Sequence, residues 1–499
     1  MKKTFWLKVI ILLGLLARFL DLYHDAPYGI ISSSGTFWTD EGFYTKSAQL
    51  FLKFGFFRNP EDVNFLTLTS LFVPWMVVWF KLFGISLYSA RCMSILCSFV
   101  SLFVFYKLMR KRFDEFVSLL MAVIVVFTLQ QVGYARMAIV EPFALMLSLI
   151  ILYFVFTSHS KWMPLLTIPL LLALFFVKST HLPTIAAIET VFLHDVFTRD
   201  QSKRGMRLSL WILSLVILIS GMIGGMHFLK DFVGPTEWST QVSANFDQRL
   251  MHKSLLFTEA RLIARIFLDP AFTILAIFFT WFLFIGILRS PKRFLSRLWQ
   301  DRIALGFFAW LFAGLLIYGT STSQPSRYYY FMIYPMIFLI VWILHQFKFS
   351  QQKMFRLLTL IVLLHLGFQI PGYAEWLSRS PEIRCVDMAQ KIAAKLDSSK
   401  PVVVGGALAS FVSFFGKNIH PCCDCTYHHC ETFLQNRPEY AVLPESGMVI
   451  LKNSCRDHFQ FEILERYHVM QGWNIDSDTL FTKIHYHHSS GDLKKPKTS

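Results

Sequence analysis

The chain has 499 residues, of which 54% are hydrophobic and only 16% are charged, and its mean hydropathy is +0.48. Soluble domains carry about a quarter charged residues, so this composition excludes an ordinary soluble protein and indicates an integral membrane protein. The net charge of +16 does not indicate nucleic-acid binding, because the basic residues stand in short clusters between apolar runs.

Eleven apolar runs have the length of a transmembrane helix and are bounded by charged residues. They lie at residues 5–22, 86–107, 114–133, 142–157, 162–177, 182–198, 208–229, 266–288, 303–320, 328–347 and 356–372. The first run follows Lys2 and Lys3 as a signal peptide would, but it has no small-residue cleavage motif, so we interpret it as a retained span.

A further apolar run at residues 65–83 decides the orientation of everything that follows it. If this run does not cross the membrane, the basic clusters at residues 2–8, 107–112, 199–207, 289–302 and 348–356 all face the cytoplasm. If it does cross, four of the five face outward, against the positive-inside rule. We therefore predict a helix at the outer interface, in a long first outer loop.

The composition turns polar at about residue 373, which predicts a membrane domain at 1–372 and an extracytoplasmic domain at 373–499. Helical periodicity at 387–396 and short apolar runs at 401–404, 440–443 and 448–451 predict a small α/β fold. The predicted fold class is thus an α-helical polytopic membrane protein with about eleven transmembrane helices, interfacial helices in the first outer loop and a C-terminal α/β domain.

The C-terminal domain contains six cysteines, and part of their spacing is that of a zinc knuckle. Thiols outside the cytoplasm tend to be oxidised, so we favour disulfides over zinc, with a pairing that the sequence does not determine. The candidates are Cys385, Cys422, Cys423, Cys425, Cys430 and Cys455.

An acidic pair and one further acidic residue on the predicted outer face are candidates for catalytic residues. Asp40 and Glu41 follow the first span, and Glu141 stands in the next outer turn. Carboxylates near a membrane are costly to desolvate and are retained where they pair, bind ions or react. The structural alternatives are that Asp40 caps a short helix running to residue 48 and that Glu141-Pro142 begins a helix.

Two basic residues, Lys178 and Arg327, fall on the same predicted face. The alternative roles are a snorkelling residue for Lys178 and an interfacial anchor for Arg327. Together with the acids they would form one site for an anionic lipid headgroup and a hydroxyl nucleophile.

Several short motifs, in order along the chain, resemble one known group of enzymes. They are Asp40-Glu41, Phe80-Lys81-Leu82-Phe83-Gly84, Tyr88-Ser89-Ala90-Arg91, Ala135-Arg136 with Glu141, Lys178, and Arg327-Tyr328 followed by Tyr334-Pro335. Residues 1–345 resemble the polytopic C-type glycosyltransferases that use polyprenyl-phosphate sugars, in the group of the protein O-mannosyltransferases and the aminoarabinose transferases of lipid A. The chain departs from this group at 64–67, where Pro-Pro-Leu-Tyr is usual, and at Ser179, where glycine is usual.

The resemblance implies an inverting transfer at the outer membrane face, with Asp40 as the base on the acceptor hydroxyl. It implies that Glu41 and Glu141 belong to the catalytic region and that Lys178, Arg327 and Arg136 hold the donor phosphate. The group often has a basic residue about two positions after the acidic pair; this chain has none there, and Lys46 is the nearest candidate for that donor-phosphate ligand. A divalent metal ion at Asp40 and Glu141 stays open, since two acids are few ligands for a hard cation.

The expected partners are a polyprenyl-phosphate-linked sugar, membrane lipids and a glycan, lipid or protein acceptor, and the expected location is a bacterial inner membrane with the site on the periplasmic side. The alternative class is a lipid or solute transporter, but the sequence shows neither internal repeats nor polar residues clustered near the bilayer midplane. A non-catalytic scaffold whose C-terminal domain binds a partner is the third possibility.

Overall fold

The computed structural model describes most of the predicted membrane domain and parts of the C-terminal domain. The described residues are 2–20, 22, 37–55, 57, 70–178, 181–199, 201–233, 262–264, 266–319, 330–347, 349–378, 385–396, 402–404, 419–421, 439–445, 448–449, 459–471 and 475–486.

Helices, most of them apolar, make up the described chain as far as residue 395. They are α1 (Lys2–Leu16), α2 (Phe37–Phe54), α3 (Phe72–Phe83), α4 (Leu87–Arg110), α5 (Glu115–Phe127), α6 (Leu129–Ala135), α7 (Glu141–Thr157), α8 (Met163–Val177), α9 (Leu182–Thr198), α10 (Arg204–Val233), α11 (Thr273–Arg289), α12 (Pro291–Gln300), α13 (Arg302–Gly319), α14 (Ile333–Gln346), α15 (Gln351–Ser378) and α16 (Cys385–Lys395). Short 3₁₀ turns extend α1 at Ala17–Phe19 and lead into α14 at Tyr330–Met332.

Each of the eleven predicted spans overlaps a helix or, at 114–133, the bent pair α5–α6; the span predicted at 266–288 begins before α11 and includes a break of 115°. By length and composition, three helices of the described part are able to cross a membrane, and up to six if each bent pair is one span. Several others, among them α7 and α8, are apolar but shorter. The structure thus confirms an apolar helical bundle, while the number eleven stays a prediction.

The exterior of the bundle is apolar, as expected for a surface in contact with lipid. Ile212, Val216 and Ile223 of α10 are each about half exposed or slightly more, and Trp6 and Leu13 of α1 are exposed to a similar degree. In contrast, α14 is buried on every side from Ile333 to Leu344. It packs against α11 and α13 and forms the centre of the bundle.

The helices α2 and α3, which precede α4 in the chain, pack against each other. The prediction of a helix within 65–83 is confirmed by α3, which occupies the last twelve residues of that run. The suggested N-cap role of Asp40 is wrong, because α2 already begins at Phe37. Glu141, by contrast, is the first residue of α7 and is followed by Pro142 as expected.

A break at Thr128 bends α5 and α6 by 65° and directs the chain into the turn that carries Arg136. Backbone groups freed by such a break must find partners, because lipid provides none. Here Gln369 of α15 accepts a hydrogen bond from the Leu129 N–H at 3.1 Å, and Thr128 bonds to His365 at 2.9 Å. The side chains of α15 therefore stabilise the bend that positions residues 136–141.

The C-terminal part forms one mixed sheet from β1 (Val402–Val404), β2 (Ile419–Pro421), β3 (Tyr440–Pro444), β4 (Phe459–Gln471) and β5 (Ile475–Tyr486). Its order is β2-β1-β3-β5-β4, with β1 parallel to both neighbours and the other pairs antiparallel. The predicted helix and the strands β1 and β3 are confirmed. The strand predicted at 448–451 is wrong at Met448 and Val449, which are helical.

Candidate active site

A buried ion pair joins α2 to α4. Arg91 donates from Nε to Glu41 Oε1 at 2.8 Å and from Nη2 to Glu41 Oε2 at 2.6 Å, a bidentate contact. The Ala138 N–H also donates to Glu41 Oε1, at 2.6 Å, and Arg91 Nη1 donates to the Leu22 carbonyl at 2.5 Å. Glu41 and Arg91 are only 1% and 2% exposed, so neither charge is screened by water. Together these bonds connect α2 and α4 with Leu22, which follows α1 in the chain, and with the turn before α7.

The helix α2 buries an unusual number of polar side chains. Thr45, Lys46, Ser47 and Gln49 are all buried, in a helix that also carries Asp40 and Glu41. Thr45 donates to the Glu41 carbonyl at 2.7 Å, and Gln49 donates to Thr45 at 3.2 Å. Burying polar side chains in an apolar bundle costs free energy, so such residues tend to be retained where they have a function. We therefore consider α2 the best candidate in the described chain for an element of the active site.

A second buried cluster connects α2 with α7 and α8. Lys178, at the end of α8, donates to Glu141 Oε1 at 2.5 Å and to the Tyr44 hydroxyl of α2 at 2.8 Å. All three residues are at most 6% exposed. The structure thus brings Glu141 and Lys178 into contact, and Tyr44 brings α2 to the same place. Lys178 is held by an anion and a phenol instead of extending into solvent.

His181 supports the Lys178 cluster from the start of α9. Its backbone N–H donates to the Lys178 carbonyl at 3.0 Å, and its Nδ1 lies 2.9 Å from the Ser148 hydroxyl, which in turn accepts from Thr184 at 3.1 Å. Burial, and secondarily the positive charge of Lys178, lowers the pKa of His181 to about 3. The imidazole is therefore neutral in the folded protein at neutral pH.

We expect acid to destabilise the protein through His181. An unfolded histidine has a pKa of about 6.5, so between that value and about 3 the unfolded chain binds a proton that the folded chain does not. Stability should therefore fall as the pH is lowered below about 6.5 and should level off near 3. Thermal unfolding of the wild type and of His181→Asn across this range measures the effect, and the variant should show a shallower slope. An unchanged slope would contradict the assignment; His227→Asn in α10 is the matched control.

Arg136 makes its contacts at another place in the bundle. It donates from Nη1 to the Leu20 carbonyl at 2.7 Å, and its guanidinium lies 5.4 Å from the centre of the Trp376 ring. Leu20 directly follows the 3₁₀ turn that extends α1, and Trp376 belongs to α15, so Arg136 lines a cleft between these elements.

Some predicted residues cannot be placed in this geometry. Asp40 lies in α2 directly before Glu41, but its side chain is outside the described part of the chain, as is that of Cys385. Arg327 and the cysteines at 422, 423, 425, 430 and 455 are outside the described residues altogether. Cys92 and Cys97 are free thiols within α4.

A metal site does not emerge from the described residues. Among them, no group of three or more His, Cys, Asp or Glu side chains is arranged to hold a metal ion. Glu141 is neutralised by Lys178, and a cation beside Lys178 would be repelled. The described donor set therefore does not fit a hard divalent cation at Glu141.

Sequence reasoning does not assign Arg91 or Tyr44 to the site. Arg91 enters only as part of a motif, yet it is an arginine in the first turns of an apolar helix, and such a residue requires a partner. Tyr44 carries no signal, because one tyrosine among 17 is unremarkable in this composition.

The fold of this chain is similar to that of a membrane protein whose structure has been solved in two states. The chain resembles the crystal structure of ArnT from Cupriavidus metallidurans bound to undecaprenyl phosphate, with a TM-score of 0.62, 14% identity, and coverage of 96% of this chain and 98% of ArnT. The structure of the same ArnT in the apo state gives a TM-score of 0.60 and 16% identity with the same coverage.

A further structural similarity is weaker. The oligosaccharyltransferase of Archaeoglobus fulgidus gives a TM-score of 0.47 at 10% identity, with coverage of 96% of this chain and 72% of that enzyme. No sequence-family model and no curated protein sequence matches the chain. The resemblance deduced from short motifs is confirmed at the level of the fold.

Proposed function

We propose that this protein is a membrane glycosyltransferase that moves a sugar from a polyprenyl-phosphate donor to an acceptor hydroxyl. The observation that carries the proposal is the buried Lys178 cluster, because it connects a cation to the helix that contains Asp40. The fold supports it, since a protein of the same fold over nearly its whole length was crystallised with undecaprenyl phosphate.

The chemistry requires one base and stabilisation of one leaving group. The acceptor hydroxyl gives its proton to the Asp40 carboxylate while its oxygen forms a bond to the anomeric carbon of the sugar. The bond from that carbon to the phosphate oxygen breaks, and its electron pair leaves with the polyprenyl phosphate, which gains one negative charge. A phosphate is a good leaving group, so no general acid is needed, and a single displacement inverts the anomeric configuration.

Glu41 and Glu141 have positioning roles in this proposal. Both oxygens of Glu41 accept hydrogen bonds from Arg91, so this carboxylate holds α2 in place beside the substrate. Glu141 and Tyr44 orient Lys178, whose ammonium binds the negatively charged phosphate of the donor. Arg327 and Lys46 remain proposed phosphate ligands, whereas Arg136, which lines the cleft between α1 and α15, is not assigned to the donor phosphate in this proposal.

Replacing Lys178 with Gln should weaken binding of the donor more than binding of the acceptor. A hydrogen bond to a charged group contributes about 1.5–3 kcal/mol, so we expect KM for the donor to rise about 10–150-fold. Steady-state kinetics with each substrate varied in turn measures this change. Lys230→Gln, at the end of α10, is the matched control and should leave both constants unchanged. A donor KM that stays within about twofold of the wild type would contradict the role of Lys178.

The proposed function itself is tested with a panel of donors. The full-length protein is purified in detergent and incubated with polyprenyl phosphates that carry different sugars, with lipid and peptide acceptors, and release of the polyprenyl phosphate is measured. Release with at least one donor, dependent on an acceptor, supports the proposal. No release with any donor, together with movement of labelled lipid between leaflets of a vesicle, would favour a transporter instead.

The orientation and location are part of the proposal. We place the site and the C-terminal domain on the extracytoplasmic side of a bacterial inner membrane. The support is the distribution of basic residues, because Arg110, Arg199 and Arg302 lie at the end of the bundle opposite to Glu41 and Lys178.

A further inference from the structure

A cleft lies between α1, the α5–α6 bend and α15, on the side of the bundle that contains Arg136. Its volume is about 370 Å³, which is within the range of pockets that bind small molecules, about 300–1,000 Å³. Ala17, Val126, Phe127 and Tyr373 are among the residues that line it. The cleft is therefore large enough for a headgroup and the first part of a lipid chain, but not for a whole lipid.

Two arginines make this apolar cleft cationic. Arg18 is 3% exposed, and its Nη atoms donate to the Ser98 hydroxyl at 2.8 Å and to the Val126 carbonyl at 3.1 Å. Its Nε has no hydrogen-bond partner among the described residues. Arg136 lines the same cleft, and its guanidinium lies over the Trp376 ring. A buried guanidinium with an unsatisfied N–H, in a low-dielectric pocket that a second guanidinium also lines, favours an anion there.

The mouth of the cleft is apolar and open to the exterior of the bundle. Leu20 and Leu377, which line it, are 68% and 86% exposed. In a membrane protein, leucines this exposed are suited to contact with lipid tails. The cleft thus combines an anionic preference inside with an apolar entrance, which is the pattern of an amphiphile with a negative head.

We propose that this cleft binds a membrane phospholipid of net negative charge. The phosphate lies between Arg136 and Arg18, where it accepts from the Arg18 Nε, and the first part of an acyl chain contacts Phe127, Leu20 and Leu377. Arginine suits this role because its planar fork matches a phosphate and is always charged.

The phospholipid site is separate from the candidate active site, although the two share a wall. Arg136 bonds to the Leu20 carbonyl, whereas Arg91 of the candidate site bonds to the Leu22 carbonyl, two residues further along the chain. In this proposal the bound lipid is distinct from the carrier of the transferred sugar, so its affinity should not depend on the proposed transfer reaction.

The test compares two lipids that differ in net charge. The full-length protein is reconstituted with equal amounts of phosphatidylglycerol and phosphatidylcholine with the same acyl chains, and retained lipid is counted by native mass spectrometry after mild release. We expect the wild type to retain one phosphatidylglycerol in preference to phosphatidylcholine. Arg136→Gln should reduce its retention about tenfold or more, whereas Lys81→Gln, an exposed lysine at the end of α3, should not.

A steric variant tests the same site with both arginines present. Ala17→Phe fills the cleft and should also reduce retention, whereas Leu12→Phe, at an exposed position on the same helix, should not. Thermal unfolding and elution volume show whether each variant is folded. If Arg136→Gln is not folded, retention of phosphatidylglycerol by Ala17→Phe tests the proposal instead.

Three results would overturn the proposal. Equal retention of the two lipids would show that charge is not recognised. Displacement of the lipid by inorganic phosphate alone would show a free-phosphate site. Preferential retention of undecaprenyl phosphate in the same cleft, lost in Arg136→Gln, would make it part of the donor site.

Discussion

Replacing Asp40 with Asn should lower the rate of sugar transfer by about 10²–10⁴-fold, the usual contribution of a general base. Asparagine is close to aspartate in size but does not accept a proton, so binding of the donor should change little. The measurement is release of polyprenyl phosphate under single-turnover conditions, which separates chemistry from product release.

Asp231→Asn provides the matched control for this substitution. Asp231 is an exposed residue near the end of α10, so the same chemical change there should leave the rate unchanged. Thermal unfolding of the Asp40 variant should match the wild type. A rate within about threefold of the wild type would remove Asp40 from the role of base and leave the acceptor proton to another group.

Replacing Arg91 with Met should destabilise the protein by about 3–5 kcal/mol, the usual cost of leaving a buried charge without its partner. Glu41 would then keep only the Ala138 N–H among the hydrogen bonds described above, at a position that is 1% exposed. The Leu22 carbonyl would lose its donor as well. Unfolding by heat or by a denaturing detergent, compared with the wild type in the same lipid, measures the loss.

A double variant separates lost charge pairing from lost packing. In Glu41→Gln/Arg91→Met neither position of the pair carries a charge, and the introduced amide oxygen still accepts from the Ala138 N–H. The double variant should therefore be more stable than Arg91→Met alone. The coupling in this double-mutant cycle should exceed about 1 kcal/mol, as for other contacting residues of one network (about 0.5–3 kcal/mol). Additive effects would mean that the two side chains do not stabilise each other.

The agreement between sequence and structure differs among the elements. The spans are predictable because an apolar run flanked by charges is a local signal, and every predicted run overlaps a helix or a bent pair. The break at Thr128 is not predictable from local sequence, because it depends on Gln369, which is 240 residues from Leu129. The hairpin of β4 and β5 is also missed, because its residues include exposed leucine and isoleucine and buried threonine, so the usual alternation is blurred.

The candidate site shows the same limit. The charge distribution places Glu141 and Lys178 on one face, and the structure brings them into contact across 37 residues. The sequence groups Glu41 with Asp40 as a catalytic acid, but its partner Arg91 lies 50 residues away and leaves it a positioning role in our proposal. Arg136 is grouped with the donor site because of its place in the chain, whereas the fold turns it toward α1 and α15.

By itself, the sequence determined that this protein resides in a membrane, where its helices lie and which acids and bases are unusual there. These properties follow from residue type and spacing, because lipid tolerates few charges and requires long apolar runs. Only the tertiary structure decided that Glu41 pairs with Arg91, that Lys178 contacts Glu141 and Tyr44, and that Arg18 and Arg136 line one cleft. Such pairings depend on how distant helices pack, and periodicity along one helix carries no information about its neighbours.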